Sequence, residues 1–184
     1  MSKGFLFADT LLREGRTRQR RQKALEVLRA ALEAVDPVNA IKRHVSLQRN
    51  VLQIGERRYD LNAYRRIIAV GAGKASGAMA LALEEILGER LTAGWVNVKD
   101  GYTAPTQRIR LHEAGHPVPD ARGLAGAQQI ARMVSEAGED DLVICLISGG
   151  GSALMTLPVE GVSLADMQAL TTALLRCGAT INEI

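Results

Sequence analysis

Residues 142–152 read Leu-Val-Ile-Cys-Leu-Ile-Ser-Gly-Gly-Gly-Ser, an unbroken apolar run that passes directly into three consecutive glycines. Six apolar residues in a row are typical of a strand that is buried on both faces of a parallel sheet. Ligands bind to open α/β sheets beyond the carboxyl ends of such strands. The segment therefore predicts a central strand, and it places residues 148–152 at the ligand-binding edge of the sheet.

A second strand with a glycine loop lies earlier in the chain. Residues 66–70 contain two isoleucines and a valine, and the run breaks at Gly71. Met79, Leu83 and Ile86 then recur at helical spacing. The pattern predicts a strand, a glycine loop and a helix, in that order.

The middle of the chain continues this alternation. Strands are predicted at 95–98 and, nearer an edge, at 108–114, and a helix capped by Asp120 follows. Strands that alternate with helices predict an α/β fold, here a Rossmann-like, mostly parallel sheet with helices on both faces. An aromatic content of only 3% agrees with this class better than with an aromatic-rich β-sandwich.

Two further segments precede the predicted sheet, and one follows it. Residues 22–35 are predicted to form an amphipathic helix, and residues 51–61 a small hairpin or lead-in. Ser163 and Asp166 have the spacing of a capping box, which predicts a helix from that point. The predicted inward-facing residues of that helix are Leu164, Met167, Leu170 and Leu174.

The last residues bear on domain organisation. Thr180 and Glu183 repeat the capping pattern, so another helix is predicted to begin just before the last residue. We therefore interpret residues 1–184 as one α/β domain that is incomplete at its carboxyl end.

Composition excludes several classes of protein. With 47% hydrophobic and 23% charged residues, the 184-residue chain is predicted to fold. The basic run at residues 13–23 has no interleaved aromatic residue, which argues against nucleic-acid binding. No signal peptide and no apolar run of about 20 residues is present, and the two cysteines suggest no disulfide framework. These features predict a cytoplasmic protein without membrane contact.

The glycine loop at residues 71–77 is a candidate anion-binding site. Its backbone N–H groups and the amino terminus of the predicted helix converge where an anion could bind, with contributions expected from Gly71, Gly73, Lys74 and Ser76. The loop is not a Walker A motif, and its G-x-G-x-x-x-G spacing is one residue longer than the dinucleotide-binding pattern. A tight turn between strand and helix is the alternative reason for these glycines.

The triple-glycine loop is the stronger candidate. Ser148, Gly149, Gly150, Gly151 and Ser152 follow a predicted buried strand, and their backbone amides could surround a phosphate or a carboxylate. A plain turn rarely requires three glycines. This loop is therefore predicted to bind a ligand.

Polar residues near the two prolines of residues 116–120 are further candidates. His116 could polarise a hydroxyl or a phosphate, and Asp120 could order a metal or accept a proton. Loop bracing explains His116 equally well, and helix capping is the favoured explanation of Asp120. His44 and His112 have no second ligand at metal spacing, so no metal site is predicted.

Three motifs in the same order carry a resemblance to a known family. They are residues 70–76 (Val-Gly-Ala-Gly-Lys-Ala-Ser), residues 115–120 (Gly-His-Pro-Val-Pro-Asp) and residues 148–154 (Ser-Gly-Gly-Gly-Ser-Ala-Leu). Together they resemble the glycerate 2-kinase family, from the first long helix to the last residues. Members of that family transfer the γ-phosphate of ATP to the 2-hydroxyl of D-glycerate, between a Rossmann-like first domain and a smaller second domain.

The resemblance implies roles for individual residues. Lys74 matches the lysine of the family's active cleft and would neutralise charge on the transferring phosphoryl group. The loop at 148–152 would bind phosphate or the substrate carboxylate. ATP, Mg²⁺ and glycerate are the implied ligands, and a homodimer stays open. The second domain is absent from this sequence, so the chain alone is expected to turn over little or no glycerate.

Two other functions stay open at this point. An NAD(P)-dependent hydroxypyruvate reductase is supported by the G-x-G-x-x-x-G loop, although the acid expected about twenty residues later is missing. A non-catalytic module that senses a sugar phosphate or an organic acid could use the same loops. Replacement of Lys74 by alanine would separate this module from a kinase, because only the kinase has turnover to lose.

Overall fold

The computed structural model describes residues 8–13, 15–180 and 183, and two sheets organise this part of the chain. The strands are β1 (Val45–Gln48), β2 (Val51–Ile54), β3 (Arg57–Asp60), β4 (Arg66–Ala72), β5 (Ala93–Lys99), β6 (Ile109–Ala114) and β7 (Asp141–Ile147). The helices are α1 (Ala8–Leu11), α2 (Arg18–Ala34), α3 (Pro37–His44), α4 (Ser76–Leu87), α5 (Ala121–Ser135), α6 (Gly151–Leu154) and α7 (Leu164–Arg176).

The larger sheet is parallel throughout, with strand order β6-β5-β4-β7. The chain first builds outward from β4 to β5 and β6, and then returns to add β7 on the opposite side of β4. The strand order therefore reverses between β4 and β7, and such a switch point opens a crevice at the carboxyl ends of the two strands. The predicted α/β class and the parallel sheet are confirmed.

Helices cover both faces of this sheet, as predicted. On one face α4 packs with the small sheet over a core that includes Leu83, Val96 and Leu146. On the other face α5 covers a second cluster that includes Val70 and Ile130. Burial of these apolar side chains from both sides is the main stabilising contribution to the domain.

The small antiparallel sheet confirms the predicted hairpin and adds a strand. β2 and β3 pair around Gly55, and β1 pairs with β2 in the register Leu47 opposite Leu52. Sequence patterning did not predict β1, because Val-Ser-Leu-Gln is short and follows α3 without a break. Leu52 and Leu61 are fully buried in the core under α4, so this sheet extends the main core.

The prediction that residues 142–147 form a central strand buried on both faces is wrong for this chain. β7 is an edge strand among the described residues, Cys145 is exposed, and Ile147 is 51% exposed. The reason is that α5 packs over β5 and β6, so it leaves the far end of β7 uncovered.

Two predicted amphipathic helices also bury less than expected. α2 has no buried residue, and Leu28 and Leu32 are about half exposed, at 47% and 52%. α7 begins at the predicted capping box of Ser163 and Asp166, yet Leu170 on its predicted inward face is 57% exposed. Nothing in the described part of the chain packs fully against these two faces.

The remaining predictions about the chain ends have simple outcomes. Thr180 donates its backbone N–H and its hydroxyl to the Glu183 carboxylate, as in a capping signal. Residues 181, 182 and 184, in which the next helix was predicted, lie outside the described residues. None of the described helices has the length and the apolar character needed to cross a bilayer.

An ion pair joins β4 and β7 at the end of the sheet opposite the glycine loops. Arg66 and Asp141 face each other in the strand register, and the guanidinium donates to both carboxylate oxygens, at 3.0 and 2.6 Å. The side chain of Asp141 is fully inaccessible to solvent, and it also accepts the N–H of Gly138. The hydrogen bonds from Arg66, followed by the one from Gly138, hold the pKa of Asp141 well below its usual range.

Replacement of Asp141 by asparagine is expected to lower the melting temperature by several degrees at neutral pH, because Arg66 loses its partner. The folded-state pKa of Asp141 is depressed, so its contribution to stability is complete above its unfolded pKa of about 4. The contribution is lost as pH falls through the folded-state pKa. The difference between wild type and Asp141→Asn should therefore shrink below about pH 4 in thermal unfolding.

Asp140→Asn is the matched control, since Asp140 is exposed and its side chain forms no ion pair with any described residue. Its stability should follow that of the wild type across the whole pH range. A destabilisation by Asp141→Asn that stays constant down to pH 2 would contradict the assignment.

Candidate functional site

The candidate site is built from the loops that follow β4, β6 and β7 at the carboxyl edge of the parallel sheet. β4 and β7 are neighbours, so the glycine loops that follow them are in direct contact. Lys74 donates its backbone N–H to the carbonyl oxygen of Gly149 at 3.0 Å, and Ser148 donates its N–H to Ala72 at 3.2 Å. The two loops predicted independently from the sequence therefore form one continuous surface.

The side chains of Ser76 and Ser148 connect these two loops by hydrogen bonds. The Ser148 hydroxyl accepts the N–H of Ala75 at 3.0 Å and lies 3.0 Å from the Ser76 hydroxyl. The Ser76 side chain is fully buried, and its hydroxyl also donates to the carbonyl oxygen of Leu146. Both serines thus connect the loops in this structure, and a role for them in phosphate binding stays a prediction.

Two glycines are required by this close approach. A Cβ atom on Gly71 would lie 2.1 Å from the carbonyl oxygen of Leu146. Gly73 has a φ of +146°, and its Cβ would lie 2.0 Å from the Ser148 hydroxyl. Packing between the loops therefore accounts for both glycines, and the space beside Gly73 is filled by protein.

The triple-glycine loop, in contrast, keeps backbone donors available. The N–H groups of Gly149 and Gly150 donate to no other group in residues 15–180, and Gly149 is exposed. Gly150 has a φ of +89° and precedes α6, so the chain turns sharply here. Unpaired amides beside a strand end can bind an anion.

Lys74 and His116 converge on this loop. A Cβ atom at Gly150 would lie 3.4 Å from Cε of Lys74 and 2.8 Å from Nε2 of His116, so both side chains approach one point. Partial burial lowers the pKa of His116, and the positive charges of Lys74 and Lys99 lower it further. The imidazole is therefore neutral near pH 7 and can accept or donate one hydrogen bond to a ligand.

Asp120 is held by other protein groups. Its carboxylate accepts the N–H of Gly123 at 2.8 Å, which confirms the predicted helix cap, and it pairs with Arg122 at 2.8 Å. Partial burial acts to raise the pKa of Asp120, yet the pKa is lowered because Gly123, Gly115 and Arg122 stabilise the ionised form. The Arg122 guanidinium also binds both carboxylate oxygens of Asp100, at 2.6 and 2.9 Å.

Asn97, a buried residue of β5 that the sequence patterns did not indicate, holds the elements around the site together by hydrogen bonds. Its buried amide donates to the carbonyl oxygens of Leu154 at 2.8 Å and Gly123 at 3.3 Å, and so ties β5 to α6 and α5. The amide oxygen accepts the Trp95 indole N–H at 3.0 Å. A polar residue inside an otherwise apolar strand was the available signal.

The predicted site residues thus fall into two groups. Lys74 and His116 approach Gly150, where the N–H groups of Gly149 and Gly150 make no hydrogen bond within residues 15–180, and Ser152 lies exposed at the start of α6. Gly71, Gly73, Ser76, Ser148 and Asp120 serve packing, interloop hydrogen bonds or capping. No cluster of His, Cys, Asp and Glu suited to a metal ion occurs among the described residues.

These features define the class of the protein. A parallel sheet of order β6-β5-β4-β7 with interlocked glycine loops at its switch point is a Rossmann-type α/β domain. The family model described as "Domain of unknown function (DUF4147)" matches residues 23–184, and the chain belongs to this family.

Curated relatives carry two kinds of name. D-glycerate 2-kinase of Thermotoga maritima is 39% identical over 162 residues, which are 88% of this chain and 36% of that protein. A protein of Agrobacterium vitis named putative hydroxypyruvate reductase is 48% identical over 119 residues, which are 65% of this chain and 31% of that protein. The chain thus spans about a third of the length of these relatives.

Solved structures agree with this assignment. A crystal structure of a Pyrococcus horikoshii protein matches with a TM-score of 0.76 at 36% identity, covering 89% of this chain and 36% of that one. The crystal structure of Thermotoga maritima glycerate kinase matches with a TM-score of 0.70 at the same identity and coverage. The resemblance to glycerate kinases that the three motifs indicated is confirmed.

Replacement of Gly73 by alanine tests the contact between the loops. We expect Gly73→Ala to destabilise the fold by about 3 kcal/mol or more, because a Cβ would collide with Ser148 and φ is unfavourable. Gly161→Ala is the control: Gly161 has a φ of +84° but no atom near its Cβ position, so a cost of about 1 kcal/mol is expected. Urea denaturation measures both, and equal costs would contradict the steric argument.

Proposed function

We propose that this chain forms the amino-terminal Rossmann-like domain of a glycerate 2-kinase, which transfers the γ-phosphoryl group of ATP to the 2-hydroxyl of D-glycerate. A second domain, corresponding to the remaining length of the relatives, would close the cleft over the two glycine loops. The products are 2-phosphoglycerate and ADP. ATP would bring Mg²⁺ as the counter-ion of its phosphates.

The observation that carries this proposal is the position of Lys74 above free backbone amides. Its Cε lies 3.9 Å from the Cβ position of Gly149 and 3.4 Å from that of Gly150, and both glycines have available N–H groups. An ammonium group with two amide donors is suited to a phosphate group, because phosphate offers several acceptor oxygens and negative charge. Ser152 at the start of α6 can add its hydroxyl.

The chemistry follows from these groups. Phosphoryl transfer is catalysed mainly by positioning and by electrostatic stabilisation of the charge on the equatorial oxygens. Lys74 would neutralise that charge, and the amides of the triple-glycine loop would fix the orientation of the group. The neutral imidazole of His116 would hydrogen-bond the 2-hydroxyl or a phosphate oxygen.

A hydroxypyruvate reductase is the second candidate, favoured by the name of the Agrobacterium vitis relative. Asp100 comes later in the chain than the spacing of a dinucleotide site predicts, yet it follows β5 directly, where such a site has its ribose-binding acid. However, Arg122 binds both oxygens of Asp100, so this carboxylate already has a protein partner. This observation supports the kinase over the reductase.

A coupled assay on the complete gene product separates the two functions. We expect ADP release that depends on D-glycerate, and no oxidation of NADH or NADPH with hydroxypyruvate. Cofactor oxidation without ADP release would sink the kinase proposal.

Lys74→Ala in the complete gene product is expected to lower kcat by about a hundredfold or more, since a charge that stabilises the transition state is removed. Lys23→Ala, which removes an exposed lysine of α2, should leave both kcat and KM unchanged. A Lys74→Ala enzyme with full kcat would show that Lys74 does not contact the reacting phosphoryl group. The 184-residue chain alone is expected to bind phosphate compounds weakly and to show little turnover.

A further inference from the structure

Lys99 is the last residue of β5 and lies at the same edge of the sheet as the candidate site. Side chains alternate between the faces of a strand, so Lys99 lies on the same face as Asn97, about 7 Å further along the strand. Asn97 bonds the carbonyl oxygen of Leu154 at the end of α6. The Lys99 side chain therefore leaves the sheet on the face that carries α6 and the triple-glycine loop.

His116 connects Lys99 to the site already described. Lys99 lies opposite Ala114 in the parallel register of β5 and β6, and His116 follows Ala114 by two residues. The charge of Lys99, like that of Lys74, is near enough to lower the pKa of His116. The imidazole is thus within electrostatic range of two lysines, one in the loop after β4 and one at the end of β5.

The nearest acids do not neutralise Lys99. Asp100, its neighbour in sequence, is bound through both oxygens by Arg122, which also pairs with Asp120. Lys99 forms no ion pair with any described carboxylate, and its Nζ lies 5.3 Å from the centre of the Tyr102 ring. Arg122 has the larger effect in lowering the pKa of Asp100, and Lys99 is near enough to help lower it, but Arg122 occupies both oxygens of that carboxylate, so Lys99 has no ion-pair partner among the described residues.

Two unpaired lysines near one histidine repel each other, and an anion between them removes this repulsion. We infer that Lys99 binds the carboxylate of the acid substrate and so determines specificity for a 2-hydroxy acid. This inference rests on the proposed kinase function. In it, Lys74 binds the transferring phosphoryl group and Lys99 binds the carboxylate of the acceptor.

The surroundings of the two lysines explain this division. Lys74 lies at the β4–β7 switch point beside the amides of Gly149 and Gly150, a set of donors that suits a phosphate. Lys99 lies at the end of the neighbouring strand β5, with His116 as the nearby polar group. A single ammonium group suits the two oxygens of a carboxylate, whereas the donors around Lys74 suit the several oxygens of a phosphate.

The test compares Lys99→Ala, Lys99→Arg and Lys42→Ala in the complete gene product. Lys42 pairs with Glu85 at the surface, so Lys42→Ala controls for the loss of one positive charge. We expect Lys99→Ala to raise KM for D-glycerate by about tenfold or more, because a charged hydrogen bond is lost. KM for ATP should stay within about twofold, and Lys99→Arg should recover most of the glycerate affinity.

A second readout without ATP separates this inference from the kinase proposal. D-glycerate should raise the melting temperature of the wild type and of Lys42→Ala, and it should not raise that of Lys99→Ala. If the wild type binds glycerate but has no kinase activity, the proposed function fails and the role of Lys99 stands. An unchanged KM for glycerate in Lys99→Ala, a raised KM for ATP alone, or no thermal shift in the wild type would overturn the inference.

Discussion

The contact between the loops that follow β4 and β7 is the constraint on which the site depends. Ser148 accepts the Ala75 N–H and meets the buried Ser76 hydroxyl, so the two strand ends cannot separate without the loss of buried hydrogen bonds. Gly71 and Gly73 permit this approach because they have no Cβ. At the other end of the same strand pair, an arginine–carboxylate ion pair holds the register. The loop that presents free amides to a ligand thus rests on a rigid support.

Arg122 and its two carboxylate partners determine which charged groups near the site are paired. Arg122 binds Asp100 and Asp120, and these hydrogen bonds raise the pKa of the guanidinium, with Asp100 contributing most. With the two acids held in this way, Lys74 and Lys99 stay without acidic partners among the described residues. Such an arrangement is costly in isolation and favourable with an anionic ligand bound. The same arginine therefore links the loop after β5 to the start of α5 and occupies the carboxylates nearest to Lys99.

The apolar surfaces of the domain fit its place in the family. The chain spans about a third of the length of its glycerate kinase relatives. Ile147 on β7, Leu170 on α7 and Leu32 on α2 are each about half exposed, although an unbroken apolar run predicts burial of Ile147 and helical periodicity predicts inward positions for Leu170 and Leu32. Periodicity reports which face of an element is apolar, and it cannot report what packs on that face.

The sequence by itself determined the order of β4 to β7 and of the helices α4 and α5 between them, the parallel class of the sheet, the cap at Asp120 and the two glycine loops. These features depend on local spacing, which a single chain displays directly. Only the tertiary structure decided that the loops interlock and that Ser76 and Ser148 face each other, because strand order and register bring distant residues together. Local patterns do not encode those distances, since β7 could pair on either side of the sheet until the whole domain is packed.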